Sequence, residues 1–414
     1  MFEGTNVGGL SGIAYDAQRN VYYAVSDDRG ELQSPRFYTL EIDVGLDGIG
    51  DVRVIGVTTL DSDLATPGVQ PYDRNDSDLE DIVLTPDREL IISSERDLKG
   101  RPWLRRFALD GTLLGELLIP ERFMPESRTG EDGRTVLVRG VRNNLALEGV
   151  ALTADGNTLY VANEEALAQD GPIATPNDGT FVRILRYQSR QAGWQPESEV
   201  AYRVEKIFKA PEPATGPADN GVSAILAADQ LWPEFQLLVM ERAFSIGWGN
   251  DVVIYGVDLL GAQHTEGLPA LPTPFTGPAA KKTPLVRMAD VGVEADNLEG
   301  MAYGPVLANG KRSLIVISDD NFSLAGSVQV NQFLLFELDQ TPTQPGPAPG
   351  VATVSPARPA APSTPVAPAQ VPASLPRTGG AILGTPLLVL ALALLLIGLT
   401  LRKAEAPNIE QEVD

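Results

Sequence analysis

Through residues 1–340 the hydrophobic positions come in short runs rich in Val, Ile, Leu, Tyr and Phe, bounded by Gly, Asp, Asn and Pro. Such runs predict strands; the 3.6-residue spacing of an amphipathic helix is not seen. One pattern returns five times: Leu10-Ser11-Gly12-Ile13, Leu79-Glu80-Asp81-Ile82, Leu147-Glu148-Gly149-Val150, Asp219-Asn220-Gly221-Val222 and Leu298-Glu299-Gly300-Met301. With Ser11, Glu80, Glu148, Asn220 and Glu299 as markers, the copies recur about every 70 residues. Each copy leads through a turn, such as Asp155-Gly156-Asn157, into a second run that ends in charged residues, at 22–28, 90–96, 159–165, 237–242 and 314–320. A third strand follows at 36–42, 103–109, 181–187, 252–258 and 332–338, and the first four copies add a fourth, as at 52–57, 112–119 and 200–204. Antiparallel units of this size predict an all-β fold, a β-propeller with five recognisable blades; a degenerate or upstream copy would make six. The fifth copy has no evident fourth strand, and the ring is expected to take one from sequence ahead of Met1.

From residue 341 to 376 the composition changes to Pro, Ala, Thr and Val. Proline lacks the donor a sheet needs, so this segment is expected to be a disordered, extended stalk with a reach of roughly 110 Å. Residues 381–401 then carry no charge, and as a helix they would be about 31 Å long, the thickness of a bilayer's hydrocarbon core. Arg402 and Lys403 follow at once, which places residues 402–414 in the cytoplasm and the propeller outside, at the cell membrane or wall. Leu375, Pro376, Arg377, Thr378 and Gly379, ahead of that span, resemble the LPXTG sorting signal of sortase substrates. The resemblance implies cleavage between Thr378 and Gly379 and attachment to the cell envelope, with sortase as a partner; the acidic 404–414 tail departs from that family's usual ending. Met1-Phe2-Glu3-Gly4 has neither a basic nor an apolar signal region, so an export signal is expected upstream.

Charge narrows the chemistry. The net charge of −23 makes nucleic acid an unsuitable partner and favours cations. With no cysteine there is no disulfide frame, thiolate nucleophile or Cys-based zinc site. The single histidine, His264, lies in a Pro/Gly/Thr-rich stretch and reads as a solvated loop residue, which leaves a hydroxyl such as that of Ser94 without an activating base. Catalysis would then run on carboxylates, arginines or a hard metal ion.

The start of the first strand and the end of the second meet at one end of a hairpin. Glu80 is therefore expected near Glu95, Glu148 near Glu164, and Glu299 near Asp319. Across the copies the second strands end in a column of Asp27, Glu95, Glu164, Glu241 and Asp319, beside a column of Asp28, Arg96, Glu165, Arg242 and Asp320. Any one of these acids by itself reads more readily as a solvated strand end, but their recurrence calls for a counter-cation, and calcium suits an all-oxygen ligand set. The candidate ligands are Asp27, Asp28, Asp81, Glu95, Glu164, Glu165, Glu241, Asp319 and Asp320. Glu80, Glu148, Glu299 and Asp27 are the candidate catalytic carboxylates, and Arg29, Arg96 and Arg242 the candidate phosphoryl-binding groups.

Gly8-Gly9-Leu10-Ser11-Gly12, Ser26-Asp27-Asp28-Arg29-Gly30, Asp78-Leu79-Glu80-Asp81, Leu147-Glu148-Gly149, Asn297-Leu298-Glu299-Gly300 and Ser318-Asp319-Asp320-Asn321 together resemble the phytase-like family known for esterase-like activity. The resemblance covers nearly all of residues 1–340. It implies a phytase-type propeller and a calcium-dependent phosphoesterase acting on small phosphorylated compounds. Two other readings stay open, a non-catalytic binding or adhesion propeller and a calcium-dependent carboxyl-ester or lactone hydrolase.

Overall fold

A computed structural model of the chain describes residues 1–228, 232–322 and 329–338, together with the backbone of 399–401. It is a five-bladed propeller, each blade an antiparallel sheet whose strands follow in chain order. The first blade holds β1 (Leu10–Asp16), β2 (Val21–Ser26), β3 (Arg36–Gly45) and β4 (Gly48–Thr59); the second holds β5 (Leu79–Leu84), β6 (Glu89–Ser94), β7 (Trp103–Ala108) and β8 (Leu113–Glu116). A separate hairpin, β9 (Glu126–Thr129) with β10 (Thr135–Arg139), links it to the third blade: β11 (Leu147–Leu152), β12 (Thr158–Asn163), β13 (Thr180–Arg190) and β14 (Gly193–Val204). The fourth is β15 (Ala218–Ala227), β16 (Leu237–Ser245), β17 (Gly249–Asp258) and β18 (Lys281–Arg287). The fifth is β19 (Leu298–Val306), β20 (Arg312–Ser318) and β21 (Phe333–Leu338), with β22 (Leu399–Leu401) paired to β21.

Alternation along each strand explains why the runs are so uniformly apolar. In β2, Val21, Tyr23 and Val25 pack toward the second blade, while Tyr22 and Ala24 pack toward the fifth. Both faces of every blade are thus buried, and the core is divided into five hydrophobic clusters, one at each blade-to-blade interface.

The first strands line the axis and pack in a ring: β1 on β5, β5 on β11, β11 on β15, β15 on β19, and β19 back on β1. The ring closes at five blades, so the sixth admitted from sequence has no place in it. The first blade has four strands of its own, and the described fourth strand of the fifth blade is β22. Close approach at the axis relies on glycine: a Cβ on Gly12 would lie 2.5 Å from the Asp81 Cα.

The stalk, the sorting residues Leu375, Pro376, Arg377, Thr378 and Gly379, and all of the apolar run except its last three residues lie outside the described residues. No described helix is long and apolar enough to cross a membrane.

Candidate metal centre

One local device aims the acidic side chains at the axis. The ladder between β1 and β2 pairs Leu10 with Ser26 and then Gly12 with Val25, leaving Ser11 in a bulge. Glu148 and Glu299 occupy the same bulge in their blades, and in the second blade it spans Glu80 and Asp81. A bulged residue leaves the ladder, and its side chain is re-aimed. The second strand ends at the same level, where Asp27, Glu95, Glu164 and Asp319 donate their backbone N–H to the carbonyls of Gly9, Asp78, Ala146 and Asn297 at 2.7–2.9 Å.

The fourth blade corrects the sequence alignment. Its ladder runs regularly from Ala218 to Val222, and the bulge falls on Ser223, three residues beyond the expected Asn220. Val222 faces Glu241 as Leu10 faces Ser26, so Arg242 and not Glu241 stands in the column of Asp27, Glu95, Glu164 and Asp319. A slip of one residue turns a side chain to the opposite face. Glu241 instead accepts from the Tyr202 hydroxyl at 2.6 Å and pairs with Lys282 at 2.5 Å.

Around the axis Arg242 pairs with Glu299 at 2.7 Å and Glu164 at 3.1 Å, and it donates to Asn297. Part of the charge on this side of the cluster is thus offset from within. On the side of the first three blades, Asp78 lies between two guanidinium groups, with Arg29 Nε at 2.7 Å and Arg96 Nε at 2.9 Å. The Arg29 contact is an aligned hydrogen bond, whereas the Arg96 contact has ion-pair distance without that alignment. Asp27, Glu80, Glu95 and Glu148 complete this side, which carries more carboxylates than cations.

Two sets of three carboxylates there have one oxygen each within 4.8 Å of one another: Asp27, Asp78 and Glu80, and Glu80, Glu95 and Glu148. Glu80 belongs to both. The Glu95 carboxylate accepts the Ala146 N–H through one oxygen, while its buried Oε2 has no hydrogen-bond partner; Asp27 Oδ1 and Arg96 Nη2 are likewise buried and unpartnered among the described residues. Burial, then the neighbouring carboxylates, pushes Glu80 and Glu148 well above the usual range. Glu95 is pushed up to about 7 by burial and by Asp78, against the Ala146 N–H. Asp27, Glu164 and Asp319 are also raised, chiefly by burial, as is Glu299 despite Arg242 beside it. Buried acids with unpartnered oxygens converging on shared points are a donor set that fits hard, oxygen-seeking divalent cations.

Four further acids expected as ligands are engaged elsewhere, because successive residues of a strand point to opposite sides. Asp28 pairs with Arg36 at 2.7 Å and accepts the N–H groups of Glu31, Leu32 and Gln33. Asp81 accepts the N–H of Val150 at 2.8 Å, stitching the second blade to the third. Glu165 accepts from Ala166 and Ala174, and burial pushes it up to about 8 against those bonds. Asp320 accepts from Gly9 at 2.8 Å and from Asn331, closing the fifth blade on the first. His264 is 65% exposed and takes no part in the cluster.

Asp78 was not among the residues expected at the site. It lies just ahead of the repeated motif, where the other blades have Gly9, Ala146, Gly221 and Asn297, so no recurrence marks it. Asn297, quoted above only within its motif, and Asn144, which holds Arg29, were likewise not among the expected site residues.

A family model described as "Phytase-like: Esterase-like activity of phytase" matches residues 5–322. No curated protein matches the chain. Among solved structures, a luciferin-regenerating enzyme is 12% identical, with 80% of this chain and 92% of that one covered, at a TM-score of 0.33. Virginiamycin B lyase from Staphylococcus aureus is 12% identical over 76% of this chain and 92% of its own, at 0.25. The extracellular domains 1–2 of Drosophila Semaphorin 1a are 10% identical over 81% and 76%, at 0.30.

Proposed function

This chain belongs to the phytase-like family of esterase-like activity, and on that premise we propose that it is a divalent-cation-dependent phosphoesterase displayed outside a membrane. The observation that carries the reading is Glu80, shared by two buried three-carboxylate sets whose neighbours keep unpartnered oxygens.

Asp27, Asp78 and Glu80 would hold one cation, and Glu80, Glu95 and Glu148 a second, with calcium suited to both. When bound, such ions supply positive charge to phosphoryl oxygens and acidity to a water molecule. The chain's own groups do the rest. Arg96 presents a buried, unpartnered Nη2 beside these sets, a donor for a phosphoryl oxygen. Arg29 and Arg96 together hold Asp78 in place. The unpartnered Oε2 of Glu95 is an acceptor beside these sets for a hydrogen bond from the attacking water. Arg242 offsets part of the charge of Glu164 and Glu299, so the carboxylates least offset by the chain's own cations are those of the two three-carboxylate sets.

Display rests on the order of stalk, Leu375–Gly379 motif, apolar 381–401 run and Arg402-Lys403, and it requires residues 399–401 to leave their pairing with β21. Fractionation of the envelope, before and after sortase treatment, tests that part. For the chemistry, purified protein is assayed on phosphomonoesters, carboxyl esters and lactones with calcium and then with chelator. Calcium-dependent release of phosphate that is lost in Glu80→Gln is the expected result. Hydrolysis of carboxyl esters or lactones alone would replace the phosphoester reading, and calcium binding with no turnover on any substrate would leave a binding propeller.

A further inference from the structure

One side chain on the solvent side of the acidic cluster joins three blades. Arg29 follows β2 in the first blade, yet its Nε lies 2.7 Å from the Asp78 carboxylate, ahead of β5 in the second, and its Nη2 donates to the Asn144 side-chain oxygen, ahead of β11 in the third. The acids of the two three-carboxylate sets, Asp27, Asp78, Glu80, Glu95 and Glu148, come from these same three blades.

Both ends of the span are anchored. The Arg29 carbonyl accepts the Asn75 N–H at 2.7 Å, and a Cβ on Gly30 would lie 3.3 Å from Arg74 Cα, so the main chain at the root is held against the loop leading into β5. Asn144 sits in the tight turn from Arg142 to Leu145 with a φ of 60°, a conformation that Asn takes more readily than most residues. Arg142 fixes that turn by donating to the carbonyls of Ala166 at 2.9 Å and Gly171 at 2.8 Å. What is left to move is the Arg29 side chain between its root and its tip.

Exposure falls sharply beneath it. The Arg29 side chain is 32% exposed and Asn144 is open to solvent, whereas Asp78, Glu95, Glu80 and Glu148 are 0%, 3%, 6% and 8% exposed. An ion from solution reaches these carboxylates only after a group above them moves. Arg29 combines contact with the acids, partial exposure and a tip held by one neutral, exposed partner. Its guanidinium also repels an approaching cation, and that repulsion strengthens where water is scarce.

We propose that Arg29 is a bar across the cation entry, latched by Asn144, whose release sets the rate at which a divalent cation enters and leaves, a role that rests on the cation sites proposed above. Because Asn144 is not among the ligands, releasing the latch speeds entry and exit alike.

The full-length protein is loaded with calcium and mixed in a stopped-flow instrument with excess fluorescent calcium chelator, which reads release without any substrate; affinity is measured separately by calorimetry. Asn144→Gly removes the acceptor and suits the positive φ. It should release calcium roughly tenfold faster or more, the scale of one hydrogen bond to a charged group, with affinity within about threefold of the parent. Asn144→Asp keeps an acceptor and adds a charge to the bond, so it should slow release. Equal release rates in the parent and both variants overturn the latch and leave the cation sites standing. A weaker affinity with an unchanged entry rate makes Asn144 a support for the ligands and overturns the latch as well. Absence of calcium binding in the parent removes the cation reading itself, and the latch with it.

Discussion

Glu241 and Arg242 are adjacent in the chain, yet their side chains serve opposite sides of β16: Glu241 is held by Tyr202 and Lys282 between blades, and Arg242 reaches the axis to join Glu164 and Glu299. One peptide step thus replaces a fifth carboxylate with a cation, which offsets part of the charge of Glu164 and Glu299.

Loss of that cation is expected to be costly. Arg242→Gln leaves two largely buried carboxylates without their partner, and removing one member of a buried pair typically costs about 3–5 kcal/mol. Urea unfolding in chelator should show this loss, and added calcium should restore part of it. An unchanged midpoint would tell against the neutralising role.

Glu80 offers the sharpest test of the cation sites, because both carboxylate sets depend on it. Glu80→Gln is expected to weaken calcium binding at least tenfold by calorimetry, about 1.4 kcal/mol or more. Glu165→Gln, whose carboxylate is committed to Ala166 and Ala174, should leave the affinity within twofold. Equal effects of the two changes would remove the distinction drawn between ligands and latches.

The raised carboxylates give stability an unusual pH dependence. Glu95 has a folded-state value of about 7 against 4.5 as an ordinary glutamate. The native state therefore holds a proton that the unfolded chain has released, and stability falls as pH rises across that window. Melting temperature in chelator should drop between pH 5 and pH 7. Saturating calcium, which displaces the proton, should flatten or reverse the trend, and calcium affinity should rise over the same interval. A melting temperature in chelator that climbs with pH would contradict this account.

Asp28 tests the acids that lie outside the cluster. It and Arg36 are almost wholly buried, and Arg36 also donates to Tyr38 and the Asn6 carbonyl. Asp28→Ala is expected to destabilise the fold by about 3–5 kcal/mol, with calcium affinity at the remaining folded fraction unchanged. A selective loss of calcium affinity without loss of stability would return Asp28 to the ligand set.

The amino-acid sequence by itself determined the blade repeat, because strands buried on both faces must be short, apolar and bounded by turns. It also placed acids at one end of every hairpin, since the motif of the first strand and the end of the second are adjacent in any antiparallel pair. Ring closure at five blades, the bulge shifted to Ser223, and the exchange of Glu241 for Arg242 at the axis were decided only by the tertiary structure. So was the entry of Asp78, which no repeat marks. The reason is geometric: composition is indifferent to a one-residue shift of register, whereas in a strand that shift reverses the direction of the side chain and so decides whether a charge meets the axis or the neighbouring blade.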